Sequence, residues 1–341
     1  MKRAENATTK VPYEVYIYPY KTGIKSSKAF EEKRLANYGV DVGVKCGHDC
    51  KYCSTPSLNR CHESFRAFNL NAYHPGYAIF DPDTPNRIRQ QAKRIRKRGL
   101  AQLCTTTDAW APEAQPYRLG RRCLEAILGE QDWRVRILTK NAAVLRDFDV
   151  IQKYRDRVLL GLSTTSIPSL EIISSVVEPH ASPVSRRYDV IEAAHRAGIS
   201  TYGMFCPILP GALSDVRNLE RMFESILRSK PVEIFAEPVN ARGPGLKNTA
   251  QALRNAGLEK EAQAVDAIRR RSVWRKYAVR LVETLLDIAQ RKYTTSKMRI
   301  LLYSSGFDKD TRDMIGRPEG VIWLGKHEGA DTAEMREKQG I

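Results

Sequence analysis

The most informative segment of this chain reads Cys46-Gly-His-Asp-Cys50-Lys-Tyr-Cys53. It holds three of the chain's seven cysteines, at the spacing C-x3-C-x2-C. Thiolates this close on one short loop cannot easily bond to each other, but they can converge on one metal centre. Three soft thiolate ligands suit zinc or an iron–sulfur cluster. If no fourth protein ligand joins them, an open coordination position indicates chemistry rather than a structural metal.

The chain around this loop alternates short β-branched runs with helical stretches. The strand candidates are Asp41–Lys45, Ala101–Thr106, Val135–Thr139, Val158–Ser163, Ser200–Phe205 and Val232–Ala236. The helix candidates between them are Pro85–Arg98, Gly120–Leu128, Val144–Lys153, Val184–Ala197 and Asp215–Ser229. Six strands with five crossover helices predict an α/β fold with a parallel sheet, either doubly wound or a barrel.

Polar residues at the C-terminal end of each predicted strand favour the barrel, because barrel enzymes build their sites there. With fewer than eight strands, we expect a partial (β/α)6 TIM-type barrel. The expected domains are an N-terminal segment 1–37, a barrel 38–245 and a mostly helical C-terminal extension 246–341. Within the outer segments, Val15–Tyr18, Ile300–Tyr303 and Val321–Leu324 are possible short strands.

The net charge of +17 predicts attraction to polyanions. The charge concentrates in two runs, which are either solvated helix faces or contacts to nucleic acid; in the second, Trp274 and Tyr277 are possible stacking groups. The first run contains Arg87, Arg89, Lys93, Arg94, Arg96, Lys97 and Arg98, and the second contains Arg269, Arg270, Arg271, Arg275, Lys276 and Arg280.

The cysteine count and the apolar pattern predict a cytoplasmic protein. Seven cysteines, an odd number, do not make a disulfide framework. The apolar runs are far shorter than the roughly 20 residues needed to cross a membrane, and no apolar stretch follows Met1 as in a signal peptide. We therefore expect a reducing compartment and no membrane partner.

The cysteine motif, with Tyr52 before its last cysteine and a β/α repeat after it, resembles the radical S-adenosylmethionine (SAM) superfamily. The resemblance implies that Cys46, Cys50 and Cys53 hold three irons of a [4Fe–4S] cluster, while the fourth iron binds SAM. It further implies a reductant such as flavodoxin or ferredoxin. One electron would then cleave SAM and produce a 5′-deoxyadenosyl radical that takes hydrogen from a substrate.

Further runs resemble the spore photoproduct lyase family, in its broad branch of DNA repair photolyase-like proteins. These runs are Thr105–Glu113, Ile137–Lys140, Leu162–Thr165, Glu178–Pro183 and Arg187. This closer resemblance implies a nucleic-acid substrate and a role in DNA repair, with a reaction of either lyase or transferase/oxidoreductase type.

The same resemblance assigns SAM contacts to Thr107, Asp108, Lys140 and Ser163, and places Tyr52 near the adenine. These residue types suit the cofactor, because a zwitterionic amino acid needs a carboxylate for its ammonium group and a cation for its carboxylate. The hydroxyls can add uncharged hydrogen bonds.

Two departures from the lyase pattern concern hydrogen return to the product, and both argue against the spore photoproduct reaction itself. The lyase has a cysteine where this chain has Thr105, and a tyrosine where this chain has Ser54. Cys104 lies one residue earlier, on the other face of a strand unless a bulge turns it. Cys206, after the fifth strand, is the other candidate donor, or else a small buried residue.

Two other functions remain open at this stage. A radical SAM enzyme could act on a protein or a small molecule, with the basic surface recruiting an acidic partner. Alternatively, a non-enzymatic protein could bind nucleic acid and hold zinc, with Cys61, His48 or His62 as the fourth ligand.

Overall fold

The computed structural model of the chain describes residues 2–3, 11–21, 23–241 and 243–325. The expected segments 1–37 and 246–341 therefore lie partly outside the described residues.

The described residues form fourteen strands. They are β1 (Lys2–Arg3), β2 (Glu14–Ile17), β3 (Ile24–Ser26), β4 (Tyr38–Val40), β5 (Gly43–Lys45), β6 (Tyr77–Phe80), β7 (Leu100–Leu103), β8 (Arg134–Thr139), β9 (Val158–Leu162), β10 (Ser200–Thr201), β11 (Gly203–Ile208), β12 (Ile234–Pro238), β13 (Met298–Tyr303) and β14 (Val321–Leu324).

The same residues form thirteen α-helices, with short 3-10 turns between some of them. They are α1 (Lys28–Glu32), α2 (Thr55–Asn59), α3 (Glu63–Ala67), α4 (Thr84–Arg94), α5 (Leu119–Leu128), α6 (Phe148–Lys153), α7 (Glu171–Val177), α8 (Val184–Arg196), α9 (Val216–Leu227), α10 (Gly245–Asn255), α11 (Glu259–Ala267), α12 (Arg271–Arg291) and α13 (Lys309–Ile315).

The strands confirm the predicted α/β fold with a partial barrel. One sheet has the order β10-β9-β8-β7-β4-β3 and another the order β11-β12-β13-β14, with β3 as the antiparallel edge strand. A bridge between Ser163 and Met204 joins β9 to β11. Beyond the six predicted strands, β13 and β14 continue the parallel array. Strands from before and after residue 245 share one sheet. The domain boundary predicted at that residue stays a prediction.

The first predicted strand, Asp41–Lys45, is wrong in its boundaries. The barrel strand β4 ends at Val40, and β5 pairs with β6 in a separate sheet of order β1-β2-β6-β5. The chain turns at Asp41, whose Oδ1 accepts three consecutive backbone N–H groups of Thr105–Thr107 at 2.7 to 3.0 Å. The carboxylate therefore fixes the end of β7, and the three-cysteine loop follows β5 rather than the first barrel strand.

The barrel interior is packed with side chains of the second sheet. Tyr202, Met204, Phe235 and Leu301 form one buried cluster with Leu35, which follows α1. The outer faces of the strands pack against the helices in the main core. Because this packing fills the interior, the C-terminal ends of the parallel strands are left as the face on which a site can form.

Candidate metal and cofactor site

The three cysteines of the loop border a single cavity. Cys46, Cys50 and Cys53 line it together with Thr106, which follows β7, and its volume is about 460 Å³. All three are free thiols. The three cysteines thus lie around one cavity, as the sequence predicts. Their role as metal ligands stays a prediction.

The opposite wall of this cavity is helix α10. Asn248, Gln251 and Asn255 line it; their spacing of three and four residues places them on one face of the helix. At its first residue, Gly245, α10 lies so close to the Tyr52 carbonyl that a Cβ would be 2.9 Å from that oxygen. Sequence reasoning missed this wall because α10 follows the predicted barrel and carries no recognisable motif.

The thiol groups suit a polynuclear metal cluster. Burial raises the pKa of Cys46 and that of Cys50, the latter to about 12. Buried thiols of this kind keep their protons until a metal ion binds and reverses the shift. No three His, Cys, Asp or Glu side chains in the described part of the chain are arranged to hold a single ion. Three free thiols on one cavity fit an iron–sulfur cluster by their ligand chemistry.

The predicted fourth ligands for zinc make other contacts. Cys61 is exposed. His62 accepts the Ser64 N–H at 3.3 Å, as the N-cap of α3. The buried His48 has its Nδ1 3.5 Å from Asp108 Oδ2. None of the three belongs to the described lining of the cavity.

Glu113 ties the cysteine loop to the segment after β7. Its Oε1 accepts the Gly47 N–H at 2.9 Å, and its Oε2 accepts the Tyr13 hydroxyl at 2.8 Å. The carboxyl group is buried, which raises its pKa to about 7. A Cβ on Gly47 would lie 2.1 Å from the Tyr13 ring. Glu113 lay within a recognised run, but sequence gave no sign of this contact because its partners are distant along the chain.

A buried ion network lies beside the loop, centred on Glu178. Its Oε2 is 2.6 Å from Arg187 Nη2, and its Oε1 is 3.2 Å from Lys140 Nζ and also accepts the Tyr52 hydroxyl. Burial alone would raise the pKa of Glu178, but the two cations outweigh it and lower the pKa to about 2. The carboxylate thus stays charged and fixes both cations.

Lys140 and Ser163, two of the predicted SAM contacts, lie together. The Lys140 ammonium donates to Ser163 Oγ at 2.5 Å and to the Cys206 carbonyl at 3.3 Å. The Ser163 hydroxyl donates to the same carbonyl at 2.6 Å. The ends of β8, β9 and β11 are therefore linked by side chains, and Glu178 supplies the compensating charge.

The other two predicted contacts, Thr107 and Asp108, already bind protein groups. Asp108 accepts the Thr139 hydroxyl at 2.8 Å and the backbone N–H groups of Lys140 and Trp110, both at 2.9 Å. Thr107 Oγ1 accepts the Val42 N–H at 3.3 Å. These contacts organise the strand ends, and a direct contact of either residue with SAM stays a prediction.

Tyr52 makes contacts that the sequence did not predict, and its packing near an adenine stays a prediction. It was expected to pack near an adenine as a shape-determining ring, but its hydroxyl donates to Glu178 and its ring centroid lies 5.7 Å from Lys140 Nζ. The residue therefore links the cysteine loop to the ion network.

The two candidate hydrogen donors lie in different surroundings. Cys104 is buried in the main core, where its thiol accepts the Ala109 N–H at 3.1 Å, and it does not border the described cysteine cavity. The Cys206 side chain lies near the barrel interior, where its thiol donates a hydrogen bond to Glu237 Oε2 at 3.4 Å. Cys206 does not border that cavity either, so the cavity does not separate the two candidates, and both roles stay predictions.

The two basic runs each extend along a helix. The first occupies α4, which ends at Arg94 rather than Arg98, and the connection into the start of β7. Its last residue, Arg98, contacts Glu130, which lies shortly before β8, at 3.4 Å, whereas Arg87 near the start of α4 pairs with Asp81, just after β6. In the second run, Arg271 donates to the Ser305 carbonyl, just after β13, at 2.5 Å. The start of the second run therefore lies on the face that carries the strand ends, and the end of the first run lies at the opposite end of the barrel.

The predicted stacking groups of this run are held by structural contacts. The Trp274 Nε1 donates to the Val239 carbonyl at 2.8 Å, and the Tyr277 hydroxyl donates to the Ile208 carbonyl at 2.5 Å. Trp274 is only 9% exposed. The turn of α12 directs these side chains toward the core, and their role as stacking groups stays a prediction.

A second cavity, of about 350 Å³, lies at the C-terminal ends of β12 and β13. Glu237, Trp274 and Tyr303 contribute to its walls, and Arg269 and Arg271 also border it. Glu237 also contacts Cys206, so this cavity adjoins the cluster of side chains at Lys140 and Ser163.

Comparison with known proteins gives a family match. The sequence profile of the Radical SAM superfamily matches residues 40–220, more than half of the chain. Two relatives are uncharacterized proteins. ORF301 of Acidianus two-tailed virus is 23% identical over 214 residues, which cover 62% of this chain and 69% of the relative. MJ0683 of Methanocaldococcus jannaschii is 24% identical over 193 residues, which cover 55% and 67%.

Similar solved structures include two of spore photoproduct lyase. One is complexed with dinucleoside spore photoproduct, with a TM-score of 0.48 and 15% identity. The other is a mutant with bound AdoMet and dinucleoside spore photoproduct, with a TM-score of 0.48 and 14% identity. Each match covers 70% of this chain and 66% of the lyase chain, just under two thirds of its length.

Among the described helices, none has the length and apolar character to cross a membrane.

Proposed function

Because the chain belongs to the radical SAM superfamily, whose enzymes use a [4Fe–4S] cluster and SAM, we propose that Cys46, Cys50 and Cys53 hold that cluster. The observation that carries the proposal is the convergence of three free thiols on one cavity beside the strand ends. Membership of an enzyme superfamily also removes the non-enzymatic zinc protein from consideration.

When bound, the cluster and SAM together supply a 5′-deoxyadenosyl radical. The protein's own part is to position them. Lys140 offers a fixed positive charge for the SAM carboxylate, and Ser163 offers a hydroxyl beside it. Thr107 and Asp108 would complete the proposed contacts, with the Asp108 carboxylate as the group that suits the SAM ammonium. Glu178 keeps Lys140 charged and oriented, because it pairs with it in a buried setting.

We assign substrate hydrogen exchange to Cys206 rather than Cys104, since its thiol lies near the barrel interior. The substrate class that fits the charge is nucleic acid, because the second basic run begins on the same face as the site. A protein or small-molecule substrate is the alternative. The free cysteines fit a reducing cytoplasm, where a flavodoxin or ferredoxin would deliver the electron.

The test is anaerobic reconstitution followed by reduction with dithionite in the presence of SAM. We expect four irons and four sulfides per chain, with formation of 5′-deoxyadenosine. The Cys50→Ala variant should lose the cluster absorbance, whereas Cys61→Ala, which changes an exposed cysteine outside the cavity, should keep it. Absence of 5′-deoxyadenosine from the reconstituted wild-type protein would overturn the proposal, as would a requirement for Cys61.

A further inference from the structure

The second cavity combines flat apolar walls with groups that form directional hydrogen bonds. The rings of Trp274 and Tyr303 border it, and the Glu237 carboxyl and the Asn240 amide lie on the same cavity. A carboxylate accepts hydrogen bonds, and an amide both donates and accepts them. Such a site suits a planar heterocycle with polar edges, which is the chemistry of a nucleobase.

The rim of the second cavity carries two guanidinium groups. Arg269 and Arg271 border it and both are exposed. The Arg269 side chain also contacts Asp266 at 3.2 Å, and Arg271 uses one Nη on the Ser305 carbonyl. Each guanidinium has five N–H donors, so donors remain for a phosphate group, which guanidinium binds in bidentate fashion.

Further exposed cations add to the positive charge near this rim. Arg270, Lys276 and Arg280 are exposed, and no salt bridge to them occurs among the residues that the structure describes. Lys276 and Arg280 lie four residues apart on one face of α12, which is not the face of Arg271. These cations therefore contribute to the positive field that attracts a strand of phosphates, without forming a row with Arg269 and Arg271.

The second cavity also adjoins the proposed radical chemistry. Glu237, on its wall, accepts a hydrogen bond from the Cys206 thiol. The Cys206 carbonyl in turn accepts hydrogen bonds from the Lys140 ammonium and the Ser163 hydroxyl. A base in this cavity would therefore lie beside the proposed hydrogen donor.

We propose that the second cavity binds one nucleotide of a nucleic-acid strand, with its phosphate on Arg269 and Arg271 and its base against Trp274 and Tyr303. The inference rests on the proposed function for what happens to the base, but binding itself needs no turnover. Failure of the binding proposal and failure of the proposed radical SAM function can therefore be told apart. The same samples that are used for binding are also measured for cluster content and 5′-deoxyadenosine.

The experiment measures fluorescence anisotropy of single-stranded DNA and RNA oligomers with the anaerobic holoprotein, without reductant, from 50 to 300 mM salt. The double variant Arg269→Ala, Arg271→Ala removes two phosphate contacts. It should reduce the slope of log affinity against log salt by about 1.4 and weaken binding about 25-fold at 0.1 M salt. The Arg269→Lys, Arg271→Lys pair should recover most of the slope, because it restores the charge.

The matched control is Lys93→Ala, Lys97→Ala, which removes the same charge at the opposite end of the barrel. It should change affinity far less, and an equal loss in both double variants would overturn the proposal. An oligomer with abasic sites should bind about tenfold more weakly if bases stack in the cavity. Equal binding of the abasic oligomer would refute the nucleotide assignment, as would absence of any DNA or RNA binding at 50 mM salt.

Discussion

Replacing Glu178 by glutamine would test how much the buried ion network contributes to the fold. The variant keeps the size of the side chain but removes the only carboxylate that contacts both Arg187 and Lys140 among the described residues. The Arg187 side chain is 2% exposed, so it cannot reach water to recover its solvation. A buried cation without its partner is strongly destabilising.

The magnitude follows from the pKa of Glu178, which falls from its ordinary 4.5 to about 2 in the folded protein. At 1.36 kcal/mol per pKa unit, this corresponds to about 3 kcal/mol of stability near neutral pH. Because the folded-state pKa is depressed, this contribution is present above pH 4.5 and is lost as the pH falls toward 2. At pH 3.5 the loss is already about 1 kcal/mol by the same relation.

The assay is urea unfolding of the cluster-free protein under reducing conditions, at pH 7 and at pH 3.5. We expect Glu178→Gln to lower the free energy of unfolding by about 3 kcal/mol at pH 7, and the gap to wild type to narrow at pH 3.5. The control is Asp189→Asn on the same helix as Arg187, which breaks an exposed pair with Arg186. That change should cost less than about 1 kcal/mol. If Glu178→Gln costs no more than this control, or if the gap is independent of pH, the reasoning about a buried, charged network is refuted.

Two further substitutions probe the loops that form the cysteine cavity. Asp41→Ala leaves three backbone N–H groups without their carboxylate and should lower the free energy of unfolding by about 3 kcal/mol. Asp41→Asn keeps an acceptor oxygen and should lower it less. Equal losses for the two variants in urea titrations would contradict this. Gly47→Ala would bring a Cβ within 2.1 Å of the Tyr13 ring. We therefore expect the variant to lose most of its bound iron while its far-UV circular dichroism spectrum stays unchanged. Full iron content would show that the loop tolerates a side chain there.

The local chemistry of the loop and the alternation of strands were predictable from sequence. Cys46, Cys50 and Cys53 are close along the chain, and their spacing alone limits what they can bind. The strands β8 and β9 were located within a residue, because a buried parallel strand is a short apolar run bounded by polar residues.

The contacts between distant segments were not predictable in the same way. Glu113 meets Gly47, and Glu178 meets Tyr52, across many residues of sequence. A pattern based on the period of a helix or strand carries no information about which strand ends become neighbours. The same limit explains Asp41, which was assigned to a strand because its neighbours are β-branched, although its carboxylate stops that strand.

Helix α10 has a consequence for the order in which the protein matures. It follows the last predicted barrel strand, yet it forms one wall of the cavity that the three cysteines share. During synthesis the cysteine loop therefore emerges long before its cover, and the cavity is complete only after the chain has closed a contact of large sequence separation, which is a slow step in folding. An iron–sulfur cluster delivered before that closure would meet an open loop, and one delivered afterwards would have to pass α10. Delivery of the proposed cluster would thus be coupled to the timing of chain folding.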